Sequence, residues 1–194
     1  MGRSKDVLIY IDRRNCDFFQ NISDKFQVIF GLNNFWLAKF FIKTKYILFV
    51  LVNIISFYNN NENGLVNAVV AIFFATVYLV KFCQKCEIME KMYEKGYNLF
   101  NENLILCRLN RGLFFVLLVL FCGMGSALIC LNGLTFFVCT HMLLAFCIVL
   151  IICAEYFYAC TPRPKGKSKV KLLFQKIQKK IEKIISPEPV PDSC

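Results

Sequence analysis

The fold is decided by two apolar stretches that follow each other almost directly: LFFVLLVLFCGMGSALICL at 113–131 and LTFFVCTHMLLAFCIVLIICA at 134–154. They contain 19 and 21 residues, and neither holds Lys, Arg, Asp or Glu. A helix of about 20 apolar residues matches the hydrocarbon core of a bilayer and satisfies its own backbone hydrogen bonds there. Because only Asn132 and Gly133 join the two stretches, they predict a hairpin of antiparallel membrane-spanning helices.

A second apolar pair lies earlier in the chain and is shorter. Its blocks, at 46–58 and 65–80, flank an Asn-rich connection at 59–64. As a helix, 65–80 covers roughly 24 Å against a hydrocarbon core of about 30 Å. This first hairpin is therefore expected either to span a locally thinned bilayer or to enter it as a wedge without fully crossing.

Composition and the placement of cations support this interpretation. The chain of 194 residues is 57% hydrophobic and only 19% charged, which is far from the usage of soluble domains. Of its 23 Lys and Arg, eight lie in 1–45, six in 81–111 and nine in 155–194, so the connections 58–64 and 132–133 hold none. By the positive-inside rule the sequence predicts four spans with the N- and C-termini both cytoplasmic.

The predicted fold class is thus an all-α integral membrane protein, with four transmembrane helices in two hairpins plus cytosolic amphipathic helices. Six segments follow from it. They are a cytosolic N-terminal arm with an interfacial amphipathic helix (1–45), a first, short transmembrane hairpin (46–83), a cytosolic amphipathic linker helix (84–111), a second transmembrane hairpin (112–160), a basic amphipathic helix (161–186) and a disordered Pro-rich tail (187–194).

The N-terminal and linker segments carry weaker patterns. Residues 1–25 are expected to be a polar arm, in which the apolar run 7–11 is left irregular. From Phe26 to Phe41, aromatic residues recur at helical spacing beside lysines, which indicates a helix in the headgroup region or, equally, the start of the first span. In the linker, an interruption is expected near Gly96.

The C-terminal helix, 169–185, carries the clearest functional pattern. An apolar stripe with lysines on both sides, directly after a span, indicates adsorption to the anionic cytoplasmic leaflet. The same stripe also fits a short coiled coil with a partner helix. No nucleic-acid motif is present, so nucleic acid is not an expected partner. The proposed lipid-surface residues are Lys169, Lys171, Lys176, Lys179, Lys180 and Lys183.

Small residues and cysteines give two further candidate sites. Gly123 and Ala127 have the small-xxx-small spacing of helix-packing sites, which suits either packing within the bundle or a homo-oligomer contact. The C-x-x-C motif of Cys83 and Cys86 could form a zinc site with Cys107 and Cys160, although no second close pair exists; free or acylated thiols are the alternative. No cofactor is expected.

Two ionisable residues lie in or near the fourth apolar block. His141 has no acidic partner at its depth, which favours a structural role over a proton relay. Glu155 lies at the cytoplasmic end, where it is expected to reach water or Lys165.

These patterns favour a scaffold over an enzyme. The sequence holds no phosphate-binding loop, nucleophile elbow or metalloprotease motif. The layout resembles, in arrangement alone, that of reticulon-type membrane-shaping proteins, which pair hydrophobic hairpins with an amphipathic helix. We therefore expect a non-catalytic membrane scaffold or anchor whose partners are membrane lipids, or a protein bound through the cytosolic helices. A small transporter or channel component, or a toxin-immunity-type membrane protein, is the alternative.

Overall fold

The computed structural model describes residues 2–59, 63–96, 100–132, 135–163 and 168–185, which form six helices and, within these ranges, no strand. The helices are α1 (Gly2–Phe30), α2 (Asn34–Asn59), α3 (Asn63–Glu94), α4 (Phe100–Asn132), α5 (Phe136–Ala159) and α6 (Lys169–Ile185). The all-helical fold class is therefore confirmed. The tail predicted for 187–194 lies outside the described residues.

Helices α2 to α5 pack side by side in the order α3, α2, α5, α4. Contacts of Tyr46 with Thr76 and of Phe121 with His141 show that each hairpin is antiparallel. The two hairpins meet through α2 and α5, whereas α3 and α4 have no comparable interface in the described part of the chain. The result is a row of four helices with α2 and α5 at its centre.

Three helices are long and apolar enough to cross a membrane: α3 over Val66–Glu94, α4 over Arg108–Leu131 and α5 over Val138–Ala159. Only the described residues enter this assignment. The predicted first span lies in α2, whose described part carries Lys39, Lys43 and Lys45. The described residues thus show three candidate spans.

Helix α1 corrects the expectation for the N-terminus, because residues 2–30 are one continuous helix and not an irregular arm. The helix was missed because its burial does not follow hydropathy: Asp12 and Ser23 are buried beside the partly buried Phe19 and Phe26, whereas Ile11 and Phe18 are exposed. The helical pattern expected from Phe26 to Phe41 is also divided in two. Gly31, with φ +77°, ends α1, and α2 begins at Asn34.

The ends of the other helices lie close to where the sequence places them. Gly96, with φ +82°, follows α3, which confirms the predicted interruption of the linker. The first half of the linker is the end of α3 and the second half is the start of α4, so the linker is not a separate helix. Thr135 caps α5, its hydroxyl accepting from the Val138 amide at 3.4 Å. Helix α6 spans Lys169–Ile185, as predicted.

Candidate functional site at one end of the helix row

The carboxylate of Asp12 is held by two other helices. Arg111 of α4 donates from Nε to Oδ1 at 2.8 Å and from Nη2 to Oδ2 at 2.7 Å, the two-pronged geometry of a guanidinium on a carboxylate. Arg108 donates to Oδ2 at 3.1 Å, and the hydroxyl of Tyr156 in α5 donates to Oδ1 at 3.2 Å. These four residues, which we call the Asp12 cluster, join α1, α4 and α5.

The central pair of this cluster is withdrawn from solvent. The Arg111 side chain is 1% exposed and that of Asp12 is 12% exposed. Burial alone would raise the pKa of the Asp12 carboxyl, but the hydrogen bond and positive charge of Arg111, with the hydrogen bond from Arg108, outweigh it and hold this pKa below its usual value. Asp12 is therefore a carboxylate at neutral pH, and it compensates a buried arginine that would otherwise be costly.

Aromatic contacts surround Tyr156 and extend the interface between α1 and α5. Its ring stacks on that of Phe19, with centroids 4.8 Å apart, and the guanidinium carbon of Arg111 lies 5.0 Å from its centroid. Asn15 donates to its hydroxyl at 3.2 Å. Because Tyr156 contacts both the anion and the cation of the pair, it fixes their position relative to α5.

Asn34, at the start of α2, caps the C-terminus of α5. Its Nδ2 donates to the carbonyl oxygens of Phe157 at 3.0 Å and Cys160 at 2.7 Å, and the residue is fully buried. The last carbonyls of a helix have no partner within that helix, so a buried helix end needs donors from elsewhere. Asn34 supplies two of them and so binds the start of α2 to the end of α5.

The extended segment after α5 is fastened to α1 through backbone groups. The Gln20 side chain donates to the Thr161 carbonyl at 2.9 Å and accepts from the Thr161 amide at 2.8 Å. Gln27 forms the same pair of bonds with Arg163, at 2.8 Å and 3.1 Å. Arg163 also forms an ion pair with Asp24 at 2.6 Å. These contacts stabilise the path of the chain from α5 toward α6.

The contacts of α1 show how it crosses the row. Positions 12 to 27 of α1 extend over about 22 Å. In the described part of the chain, their hydrogen bonds and ring contacts on the α5 side fall at 156–163, the last turn of the helix and the residues just after it. A helix lying parallel to α5 would contact successive turns along its length. Helix α1 therefore runs across the end of α5 and not alongside it.

Glu155, near the end of α5, does not lie where the sequence predicted. The residue is 2% exposed, and Tyr78 donates to its Oε1 at 3.5 Å, so it is not an interfacial group open to water. The Lys165 proposed as its partner lies outside the described residues. Close by on α5, the ring of Tyr158 makes a cation–π contact with Lys85, whose ammonium lies 4.3 Å from the ring centroid. The ends of α2, α3 and α5 pack closely here, which excludes solvent.

The proposed lipid-surface lysines lie on α6. Lys169 and Lys176 are exposed, and the side chains of Lys171, Lys179, Lys180 and Lys183 fall outside the described part of the chain. Helix α6 starts beside the end of α1, where Ser168 packs on Gly31. Four apolar side chains of the predicted stripe are exposed: Leu173 (58%), Phe174 (67%), Ile177 (46%) and Ile181 (48%).

The small-residue site is not a contact within the described chain. Gly123 and Ala127 are both exposed, and a Cβ added to Gly123 would meet none of the described atoms within 4 Å. Among the described residues these two positions are therefore open, and a contact with a second copy stays a prediction. The close approach is made by Gly125, whose added Cβ would lie 3.2 Å from Met142 Sδ and 3.3 Å from His141 Cδ2.

The cysteines proposed as zinc ligands are not assembled in the described residues. No group of three metal-ligating side chains occurs there, and the Cys107 side chain lies outside them. Cys86 and Cys160 are buried, and Cys160 donates to the Tyr156 carbonyl at 3.2 Å. Burial raises the pKa of the Cys160 thiol, so this group is a protonated donor at neutral pH.

His141 has partners consistent with the structural role favoured by the sequence. Its Nε2 lies 2.9 Å from the Phe121 carbonyl oxygen, and its ring stacks on that of Phe121 with centroids 4.9 Å apart. Asn53 donates to the Phe49 carbonyl of its own helix at 2.8 Å. His141 thus joins α4 to α5.

The Asp12 cluster was not predicted from the sequence. Asp12 and Arg111 are 99 residues apart, and only the packing of α1 across the row brings them together. One available signal was the position of Arg111 directly before the longest stretch without Lys, Arg, Asp or Glu, 112–154, where a cation needs an anion once buried. No protein family matches this chain, and no curated protein or solved structure shows significant similarity to it.

Proposed function

We propose that this protein is a non-catalytic, multi-pass membrane scaffold or anchor that crosses the bilayer four times, with both termini cytoplasmic. The observation that carries the proposal is the outward orientation of apolar side chains. Only 6% of the most apolar part of α4 and 11% of that of α3 are buried. Phe73, Phe74 and Leu120 are 62%, 65% and 56% exposed. Apolar surface on this scale needs lipid, since water-soluble monomers rarely expose large contiguous patches.

The fourth crossing is assigned to α2. Its lysines lie in the first half of the helix, and Ile47, Leu51 and Ile54 beyond them are exposed. Lys45 is 8% exposed, with its ammonium 4.9 Å from the Phe49 ring centroid and 5.5 Å from that of Tyr78. Lys39 and Lys43, near the start of the helix, can reach the interface along their aliphatic stems. The buried Lys45, whose carbonyl oxygen lies 3.9 Å from Cys147 Sγ, is stabilised by the two rings, so these cations are compatible with a crossing.

The C-terminal helix supplies the attachment to the leaflet. Exposed apolar side chains on α6, together with the six lysines of its sequence, match an interfacial helix on an anionic surface. Each lysine near such a surface contributes about 1 kcal/mol. The start of α6 beside α1 supports placing it at the cytoplasmic ends of the spans.

The hydrogen bonds of the polar side chains within the apolar helices favour a scaffold over a conducting path. Asn53, Thr76 and Ser126 donate to carbonyls four residues earlier in their own helices. His141 is bonded to α4. Groups bonded in this way are not aligned along a shared channel, and the charged residues of the Asp12 cluster are bonded to one another.

Hydrogen exchange over 169–185 tests this function in the full chain reconstituted into vesicles. We expect strong amide protection in phosphatidylglycerol-containing vesicles, weaker protection in pure phosphatidylcholine, and loss of the difference when the six lysines are changed to Gln. The matched control changes Lys91 and Lys95, which are exposed on another segment, to Gln and leaves the difference intact. Protection that is equal in both vesicles, or that falls when protein density is lowered, would instead indicate a partner helix.

A further inference from the structure

Helix α1 carries an exposed apolar face that is covered by no described part of the chain. Its residues follow one another at spacings of four and seven, which places them on one stripe of a helix. Because successive residues of a helix are about 100° apart, this stripe lies on the flank of α1, beside the face that carries Asp12 and Phe19. We call it the α1 stripe; its members and exposures are Val7 (56%), Ile11 (46%), Phe18 (62%), Ile22 (37%) and Ile29 (41%).

The pattern of the stripe favours lipid over a partner helix. A coiled-coil seam would need apolar residues at alternate spacings of three and four, and therefore also at 14, 21 and 25. Arg14, Asn21 and Lys25 occupy these positions, and all three are exposed. Cations within an apolar stripe interrupt knobs-into-holes packing, whereas in the headgroup region they can reach anionic phosphates while their stems cover apolar surface.

The location of α1 places this stripe at the membrane boundary. Asp12 contacts Arg108 and Arg111, which begin the apolar part of α4, and Phe19 contacts Tyr156 in the last turn of α5. Gln27 contacts Arg163, just beyond that helix. Thus α1 crosses the row at the depth where spans end, where an outward apolar face meets the boundary between acyl chains and headgroups.

We propose that the α1 stripe is a second lipid-docking surface, which lies in the same leaflet as α6 and is held at that depth by the Asp12 cluster. This inference rests on the proposed membrane function and deepens it. It makes α1, together with α6, part of the leaflet anchor, with α1 packed against α2 and α5.

Brominated lipids, which quench tryptophan within the acyl region, test the proposal. The single tryptophan is first removed by Trp36→Phe in the full-length chain, which is then reconstituted into phosphatidylcholine and phosphatidylglycerol vesicles brominated near the headgroup end of the acyl chains. Phe18→Trp places the probe on the stripe, and Arg13→Trp places a control at an exposed position off it. We expect the Phe18→Trp emission to fall about twofold and the Arg13→Trp emission to stay unchanged.

Leu120→Trp, on the exposed face of α4, separates the two proposals. Quenching of Leu120→Trp without quenching of Phe18→Trp would overturn the docking of α1 alone, whereas failure of both would overturn the membrane function as well. A Phe18→Trp probe that is shielded from aqueous acrylamide but untouched by brominated lipid would show that protein covers the stripe, which also overturns this inference.

Discussion

The carboxylate of Asp12 and the guanidinium of Arg111 share two hydrogen bonds, at 2.8 Å and 2.7 Å, and so connect the N-terminal helix to the start of the apolar part of α4. Neither group could be buried at this depth without the other, because each would carry an uncompensated charge. The pair therefore determines where α1 lies on the helix row. It also accounts for a buried carboxylate on the face of α1 that packs against the row.

Asp12→Asn should strongly destabilise the protein. It leaves Arg111 buried without a counter-charge, and breaking a buried pair from one side costs about 3–5 kcal/mol. The matched control is Asp24→Asn, which removes an ion pair whose arginine is 52% exposed. Such pairs are worth about 0–1 kcal/mol. The free energy of unfolding in mild detergent measures both effects. Equal losses of stability in the two variants would show that the buried ion pair of Asp12 contributes no more than the exposed pair of Asp24.

Acid should release α1 from the row. The pKa of Asp12 is lower in the folded protein than in the unfolded chain, so its contribution is complete above the unfolded value and is lost as pH falls through the folded value. The loss is expected below about pH 4. Hydrogen exchange across residues 7–30 should report it. In Asp12→Asn this acid step should be absent, and its persistence there would assign the transition to another group.

Asn34→Ala should destabilise the junction of α2 and α5. It removes both bonds to the Phe157 and Cys160 carbonyls, and each buried acceptor left without a partner costs about 1–3 kcal/mol. Asn33→Ala is the control, since Asn33 caps only its own helix through the Trp36 amide and bonds the half-buried Glu90. The midpoint temperature of thermal unfolding should be clearly lower for Asn34→Ala than for Asn33→Ala, and the reverse order would contradict the capping role.

Two glycines of α4 should respond differently to the same enlargement. Gly125→Leu forces the side chain into Met142 and His141, and overpacking of this kind costs about 1–3 kcal/mol. Gly123→Leu meets open space and should leave the monomer unaffected. If the Gly123 and Ala127 face binds a second copy, Gly123→Leu should instead lower the fraction of crosslinked dimer. Crosslinking and thermal unfolding of both variants separate these effects.

The parts of the fold predicted from sequence are those that depend on local chemistry. Gly96 ends a helix through backbone geometry alone, and the lysine-rich stripe specifies α6 directly. The uncharged stretches specify α4 and α5 for the same reason.

The remainder depends on contacts between distant residues. Nothing near Asp12 in the sequence indicates that its partner is Arg111. A helix that buries a carboxylate and exposes apolar side chains was therefore not recognised as a helix. Glu155 looked interfacial because the packing of Tyr78 and Tyr158 around the end of α5 has no local signal. The order of the four helices in the row likewise follows from side-chain fit between α2 and α5.

The most direct test of the central claim, four crossings with both termini cytoplasmic, is the sidedness of two inserted epitope tags. One variant carries the tag at residue 62, between α2 and α3, and a second carries it after residue 185. In intact cells, we expect an external antibody to bind the tag at residue 62 and to reach the C-terminal tag only after permeabilisation. Finding both tags on the same side of the membrane would contradict the account.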